Sequence, residues 1–354
     1  MTTEATTEAT TETTPRTRMD IVRVDPHDED ALRAWHATYL EADTRGRPFA
    51  TPWMYEEGRA TAQAPPVAHE RLLLSGVVDG DVVCIAQVVL SLKDNLDHAD
   101  FHVHTHPDHR RRGHGTAMLR HVEALARARG RTLLVAMVDH PYDLGPTGDG
   151  EPGVDFLRRH GYQHSLGEVQ SACPLPVPDQ LLDGLVAEAA AHHHGYSLRS
   201  FVDRCPDDIL ESFGRAKGML VTEAPTGTLD YEPEVFDEER IRSQEAMMAE
   251  AGRTSYFTVA QDADGEVVAY TQLVVPRFDP GRAYQWGTLV HPDHRGHRLG
   301  LAVKAANHAL LQEHETGLSV VITYNAEVNE HMISVNQRFG FAPVARSAEF
   351  EKSL

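Results

Sequence analysis

The sequence predicts an α/β fold of mixed-sheet (α+β) type, made of two tandem and similar domains. The first observation behind this is a segment used twice, His106-Pro107-Asp108-His109-Arg110 and His291-Pro292-Asp293-His294-Arg295, each running into a glycine-containing turn. The second is a strand-turn-strand signature ahead of each copy. The third lies C-terminal to each copy: apolar residues at helical spacing, then a buried strand run, the pattern of a helix crossing between two parallel strands. A length of 354 residues fits two domains, and 41% hydrophobic residues let each bury its own core.

Residues 1–18 repeat Thr-Thr-Glu-Ala with slight variation as far as Pro15 and offer almost nothing to pack, so they are expected to be a disordered tail. The N-terminal domain, 19–194, opens its sheet with Leu72 to Val78 and Val82 to Leu92, rich in Val, Ile and Leu and joined by Asp79-Gly80-Asp81. A further strand, about Ala99 to Thr105, leads into the turn. Ala117, Met118, Val122, Leu125 and Ala126 then recur at helical spacing, and Leu133 to Val138 reads as the next strand. A short helix ends at His160-Gly161-Tyr162, where glycine can stop the helix left-handed and the aromatic starts a strand.

The C-terminal domain, 195–354, repeats this order. Tyr256 to Ala260 and Val267 to Val275 flank Asp262-Ala263-Asp264-Gly265, and Ala283 to Val290 leads into the second turn. Leu301, Ala302, Ala305, Ala309 and Leu310 mark the helix, Leu318 to Thr323 the following strand, and Phe339-Gly340-Phe341 the closing stop. From motif proline to closing glycine there are 54 residues in the first copy and 48 in the second, and the polar loop Asp139 to Gly153 takes up the difference. Pro174-Leu175-Pro176-Val177-Pro178 breaks the chain after the first copy, and a helix from about Asp179 to His194, stopped by Gly195, bridges the domains.

A formal charge of −20 argues against nucleic acid or an anionic membrane as the main partner and favours a cationic small molecule such as an amine. Cys84, Cys173 and Cys205 are too few and too scattered for a disulfide framework or a zinc knuckle. With no signal segment and no bilayer-length apolar run, the expected location is cytoplasmic. His98, His102, His104 and His106 share a face by strand period, yet among 22 histidines such a cluster arises by chance, and no metal is expected.

The turn itself carries the functional signal. A helix N-terminus presents unpaired N–H groups and partial positive charge, and glycines let a diphosphate approach them. Arg110-Arg111-Arg112-Gly113-His114-Gly115-Thr116 does this in the first copy and Arg295-Gly296-His297-Arg298-Leu299-Gly300 in the second. The spacing is wrong for a Walker loop or a dinucleotide fingerprint. It resembles the signature of the GCN5-related N-acetyltransferases (GNAT), Arg/Gln-x-x-Gly-x-Gly/Ala, which Arg110, Gly113 and Gly115 match fully. The resemblance extends over about residues 20–354, so the chain looks like a tandem GNAT protein, an architecture it would share with mycothiol synthases.

The resemblance implies that acetyl-CoA is the cosubstrate. Each domain would then be a mostly antiparallel mixed sheet with flanking helices and a splayed parallel strand pair. The pantetheine arm would enter that splay and pair with Val103, His104 and Thr105, or with Thr288, Leu289 and Val290 in the second domain. Turn residues Arg111 to Thr116, and Gly296, His297, Arg298, Leu299, Gly300 and Leu301 after Arg295, would hold the pyrophosphate. In the second turn Arg298 stands where the first glycine belongs, which either crowds the phosphate or supplies a direct cationic contact. Asn329 matches an asparagine that the family often places beside the cofactor, whereas the first domain has Gly150 there. The family's frequent general acid, a tyrosine four residues before the closing glycine, is replaced by Leu157 and Asn336.

Acetyl transfer to an amine needs a route for the amine proton and donors that polarise the thioester. Asp100 and His102 share one face of the strand before the first turn and are candidate bases, or else ordinary hydrogen-bonding groups. Tyr324 is a candidate donor; Tyr284, Gln285 and Trp286 look like a binding wall. The sequence thus reads as an acyl-CoA-dependent N-acyltransferase acting by direct attack of a small-molecule amine. The alternative is a non-catalytic CoA-binding or interaction protein that has lost activity in one or both domains.

Overall fold

A computed structural model describes residues 18–354, so the tail expected at 1–18 lies outside the described residues except for its last position. The first half runs β1 (Asp20–Arg23), α1 (Glu29–Thr44), α2 (Tyr55–Gln63), β2 (His69–Val78), β3 (Asp81–Ser91), β4 (His98–Thr105), α3 (His114–Ala128), β5 (Leu133–Pro141), α4 (Pro152–Arg159) and β6 (Gln163–Pro174). The bridging helix α5 (Asp179–Ala190) comes next. The second half runs β7 (Ser197–Val202), α6 (Leu210–Gly218), α7 (Leu220–Glu223), α8 (Glu238–Glu250), β8 (Arg253–Gln261), β9 (Val267–Pro276), β10 (Arg282–Val290), α9 (Leu299–His314), β11 (Val320–Ala326), α10 (Glu330–Phe339) and β12 (Ala342–Ser353).

Local chemistry sets the element ends. Asp28 accepts from the Ala31 amide at 3.1 Å to cap α1, and Asp237 accepts from the Arg240 amide at 2.9 Å to cap α8. Asp79 and Gly80, both at positive φ, make the tight hairpin between β2 and β3. Gly340, left-handed, stops α10.

All twelve strands form one sheet, in the order β1-β2-β3-β4-β5-β12-β6-β11-β10-β9-β8-β7. The parallel neighbours are β4 with β5 and β10 with β11; every other described pair is antiparallel. The chain order and the strand order do not share the same division. The last strand of the second half, β12, lies between β5 and β6, and the last strand of the first half, β6, lies between β12 and β11. Each half therefore completes the other's sheet.

The cores interleave in the same way. Phe350 and Ala348 of β12 pack with Met118, Leu119 and Val122 of α3, while Cys173 of β6 packs with Leu301, Ala302 and Ala305 of α9. On the opposite face α1 buries Leu32 and Trp35 against Leu73 and Ile85. Across the halves Arg253 and Glu57 form a buried ion pair at 2.6 Å, with the guanidinium lying 3.9 Å from the Trp53 ring centroid. Among the described residues no helix is long and apolar enough to cross a membrane.

Candidate active site

The two motif turns have the same backbone. Positions 111 and 296 are both left-handed, with φ of 63° for Arg111 and 89° for Gly296. Positions 113 and 298 are left-handed too, with φ of 91° for Gly113 and 57° for Arg298. Each copy places a glycine at one of the two demanding positions and an arginine at the other. Arg298 thus keeps the shape of the turn, at the modest cost of a non-glycine residue in that region.

What differs is where the side chains go. In the first turn the Arg110 guanidinium donates to the Thr105 and Ala42 carbonyls, both at 3.2 Å, tying the turn to the end of β4 and to α1. Arg112 folds back onto the Asp108 carbonyl at 2.9 Å. Arg111 is left beside the open N-terminus of α3. In the second turn Arg298 pairs with Glu188 of α5 at 3.2 Å and Arg295 with Glu223 of α7 at 2.6 Å, so both cations already face carboxylates.

The β4–β5 ladder stops at Asp100 and Val135, and beyond it the strands splay. A cavity of about 1120 Å³ fills this splay, bordered by Phe101 to Thr105 on one side and Ala136 to Asp139 on the other. It reaches the first turn at Arg110, Arg111 and Gly113 to Thr116; Arg112 does not border it. The close fit of helix to strand depends on Gly115, where a Cβ would meet the Thr105 Oγ1 at 3.2 Å and the Phe156 ring at 3.7 Å.

The far end of the cavity holds His102, Asp139, Glu168 and Tyr324. His102 and Asp100 share a face of β4, as the strand period requires, but only His102 borders the cavity. Its side chain is accessible from the cavity while protein crowds around it, and this burial lowers its pKa against the opposing pull of Asp139. His104 is pushed down to about 3 by burial and by the neighbouring His102, and it packs edge-on against Tyr39. Asp100 keeps an exposed surface, yet protein crowding around its carboxyl, and then Glu349, raise it to about 6. Tyr324 is raised by burial and by Asp139, which keeps its hydroxyl protonated, and that hydroxyl lies 2.8 Å from the Thr51 hydroxyl.

None of Thr288 to Val290 or Arg295 to Leu301 borders this cavity, nor a second one of about 490 Å³ between the sheet and α6–α8. Thr288 instead hydrogen-bonds Thr271 at 2.7 Å, and His297 packs on Tyr196. Asn329 caps α10 by accepting from the Met332 amide at 3.1 Å. Leu157 borders the first cavity, whereas Asn336 is buried and donates to Asn325 at 2.7 Å. Among the described residues no group of three or more His, Cys, Asp or Glu side chains is gathered to hold a metal, and His98 packs edge-on against Tyr231.

Sequence reasoning missed several residues of this site. Arg47, which binds Asp43 at 2.8 Å and Asp139 at 2.7 Å, and Thr51 both come from the segment between α1 and α2, which carries no motif. Glu168 was hidden because β6 reads as an ordinary closing strand; a polar residue alternating into a buried strand was its one available signal.

This fold, with two Gly turns opening helices beside splayed parallel strands, is that of a tandem GNAT protein. The chain belongs to the acetyltransferase (GNAT) family, whose model matches residues 29–143 and 222–341, one stretch in each half. It is 26% identical over 268 residues to the mycothiol acetyltransferase of Saccharomonospora viridis, an alignment spanning 69% of this chain and 71% of that protein. Among solved structures, a tandem GNAT protein from the clavulanic acid biosynthesis pathway matches with a TM-score of 0.77 and 28% identity, over 95% of this chain and 98% of the other. The GCN5-related N-acetyltransferase from Sphaerobacter thermophilus shares the fold, with a TM-score of 0.62 and 16% identity over 95% and 96% of the two chains.

Proposed function

We propose that the chain is an acetyl-CoA-dependent N-acetyltransferase for a small-molecule amine, with its working site in the first half. The observation that carries this reading is the single cavity that runs from the N-terminus of α3 through the β4–β5 splay to His102 and Tyr324. The name of the mycothiol acetyltransferase relative supports acetyl as the transferred group. The three cysteines, all free and buried, support a reducing compartment such as the cytoplasm.

In this reading the amides of residues 113–116 hold the pyrophosphate of acetyl-CoA and the open edge of β4 from Val103 to Thr105 pairs with its pantetheine arm. The acceptor amine, bound on the far side of the splay, attacks the thioester carbonyl carbon directly. Neutral His102 takes the proton that the nitrogen loses. The carbon–sulfur bond then breaks, and the departing thiolate takes a proton from the Tyr324 hydroxyl, which Thr51 holds in place; the phenolate regains a proton from solvent as His102 gives up the one it took, so both groups are restored. Asp100, beside Glu349 and outside the cavity, has no part in these steps.

The second half serves as a wall and a frame. Glu188 and Glu223 neutralise the cations of its turn, and Tyr324 reaches into the partner half's cavity. Thiol release from acetyl-CoA with a panel of small amines tests the reading. Acceptor-dependent release is expected. Binding of acetyl-CoA with no release for any amine favours the non-catalytic alternative, which Leu157 and Asn336 in place of the family's tyrosines motivate.

A further inference from the structure

The first cavity extends past the splay to the side of β4 away from β5, where Gly58, Arg59 and Thr61 of α2, Arg71 and Leu73 of β2 and Gln87 of β3 border it. Strand register makes this a continuous floor. His102 lies opposite Gln87 and Gln87 opposite Leu73, so the three side chains stand in one row on one face of the sheet. Arg71, two residues from Leu73, is on the same face, and all four border the one cavity.

This part of the wall carries polar groups with open valences. Among the described residues the side chains of Arg59, Arg71 and Gln87 enter no hydrogen bond, and neither arginine has an ion pair. Burial alone acts on the Arg71 guanidinium and lowers its pKa, with no carboxylate near enough to raise it. The acidic groups of the neighbourhood are already engaged. Asp94, which like Arg71 acts on His69, is bound by Arg240 at 2.6 Å, and Glu29, on which Arg59 acts, is bound by Arg33 at 2.6 Å. In a chain of net charge −20, two arginines without a counter-charge on one cavity wall are a local exception. A partly buried guanidinium without a partner is costly, and its planar fork of N–H donors matches a carboxylate with two hydrogen bonds.

Resting on the acyltransferase reading for the reacting end, we infer that the acceptor is an amino carboxylate, its nitrogen beside His102, its carboxylate held by Arg71 and Arg59, and the chain between them lying over Gln87 and Leu73. β2 and β4 are two strand spacings apart, about 10 Å, and Arg71 is offset by two residues, about 7 Å, which puts the backbones of His102 and Arg71 about 12 Å apart. Side chains stand roughly perpendicular to a sheet and keep much of that separation. The nitrogen and the carboxylate are therefore several bonds apart, as in an ω-amino acid and not an α-amino acid. Transfer gives the N-acetyl amino carboxylate and the free thiol of CoA, and leaves the carboxylate unchanged.

The test uses the full chain and ligands matched in length. Calorimetry compares N-acetyl ω-amino carboxylates, the products, with the corresponding N-acetyl ω-amino carboxamides. The carboxylates are expected to bind at least about tenfold more tightly. Arg71→Gln, checked for an unchanged circular-dichroism spectrum, is expected to erase most of that preference, and Arg71→Lys to retain part of it. Equal binding of the two series to the unaltered chain overturns the inference, as does a preference that both Arg71→Gln and Arg59→Gln leave intact.

Thiol release is then compared for ω-amino acids from aminobutanoate to aminooctanoate and for their carboxamides, with rates expressed per neutral amine. The acids are expected to have the higher kcat/KM, and Arg71→Gln to raise KM for the acid. A rise in KM for acetyl-CoA in its place assigns the guanidinium to the cofactor and overturns the inference. A carboxylate preference in binding without thiol release from any amine sinks the acyltransferase reading and leaves the carboxylate site standing. Thiol release with equal kcat/KM for acids and carboxamides does the reverse.

Discussion

The hydroxyl of Tyr324, on β11 of the second half, lies 2.8 Å from the hydroxyl of Thr51, in the segment between α1 and α2 of the first. The contact closes the first half's cavity with a residue more than two hundred positions away along the chain. Tyr324→Phe is expected to lower kcat by roughly 10- to 100-fold while KM for acetyl-CoA stays near its original value, because in the proposed mechanism the hydroxyl acts on the leaving thiolate and not on the CoA body. Steady-state thiol release checks the split; a rise in KM at constant kcat removes Tyr324 from the chemistry.

In the proposed mechanism the pH dependence is set by His102. Burial lowers its pKa from the usual 6.5, so the neutral, proton-accepting form persists below that pH. With a weakly basic acceptor whose own titration stays out of range, kcat should hold constant down to below pH 6.5 and fall only under it. His102→Gln should cost on the order of 100-fold in kcat and abolish that acid limb. A limb unchanged in the variant assigns the titration to another group.

Glu168 links the site to stability. Its pKa rises from 4.5 in the unfolded chain to about 7 in the folded one, so the folded state binds the proton more tightly. Stability is thus greatest below pH 4.5 as far as this group is concerned, and its penalty develops as pH rises through about 7. Glu168→Gln should stabilise the protein at pH 8 by on the order of 1–3 kcal/mol, a rise of a few degrees in Tm, and have little effect at pH 4. Thermal melts at the two pH values read the difference.

The buried pair of Glu57 and Arg253 ties the halves together. Glu57→Gln leaves the guanidinium against Trp53 without a counter-charge and should destabilise the chain by about 3 kcal/mol or more. Denaturant titration should show this as a lower midpoint with a single transition, since the sheet is shared.

Much of this architecture is legible in the sequence because it rests on local patterns. Asp79-Gly80 marks its hairpin, Gly340 its helix stop, and the repeated His-Pro-Asp-His-Arg segment places α3 and α9. The exchange of β6 and β12 is not legible. Each strand closes its own half in sequence, and the choice of neighbour depends on long-range packing of residues such as Phe350 and Cys173. The same applies to the site. The glycines of the turn are visible because backbone conformation demands them, and that backbone is kept even where Arg298 replaces glycine. Glu188, which faces Arg298, and Thr51, Arg47 and Glu168 come from segments without a motif, brought in by topology alone.

In the proposed reading acetyl-CoA works at the first turn and not at the second, and a matched pair of glycine variants tests this. At Gly115 an added Cβ meets Thr105 at 3.2 Å, while at Gly300 the nearest atom, of Val290, lies at an ordinary 3.5 Å. Calorimetric titration of acetyl-CoA with parallel thiol-release assays should show that Gly115→Val loses binding and turnover together, while Gly300→Val retains both. Loss in Gly300→Val with retention in Gly115→Val would contradict the account and move the active site to the second half.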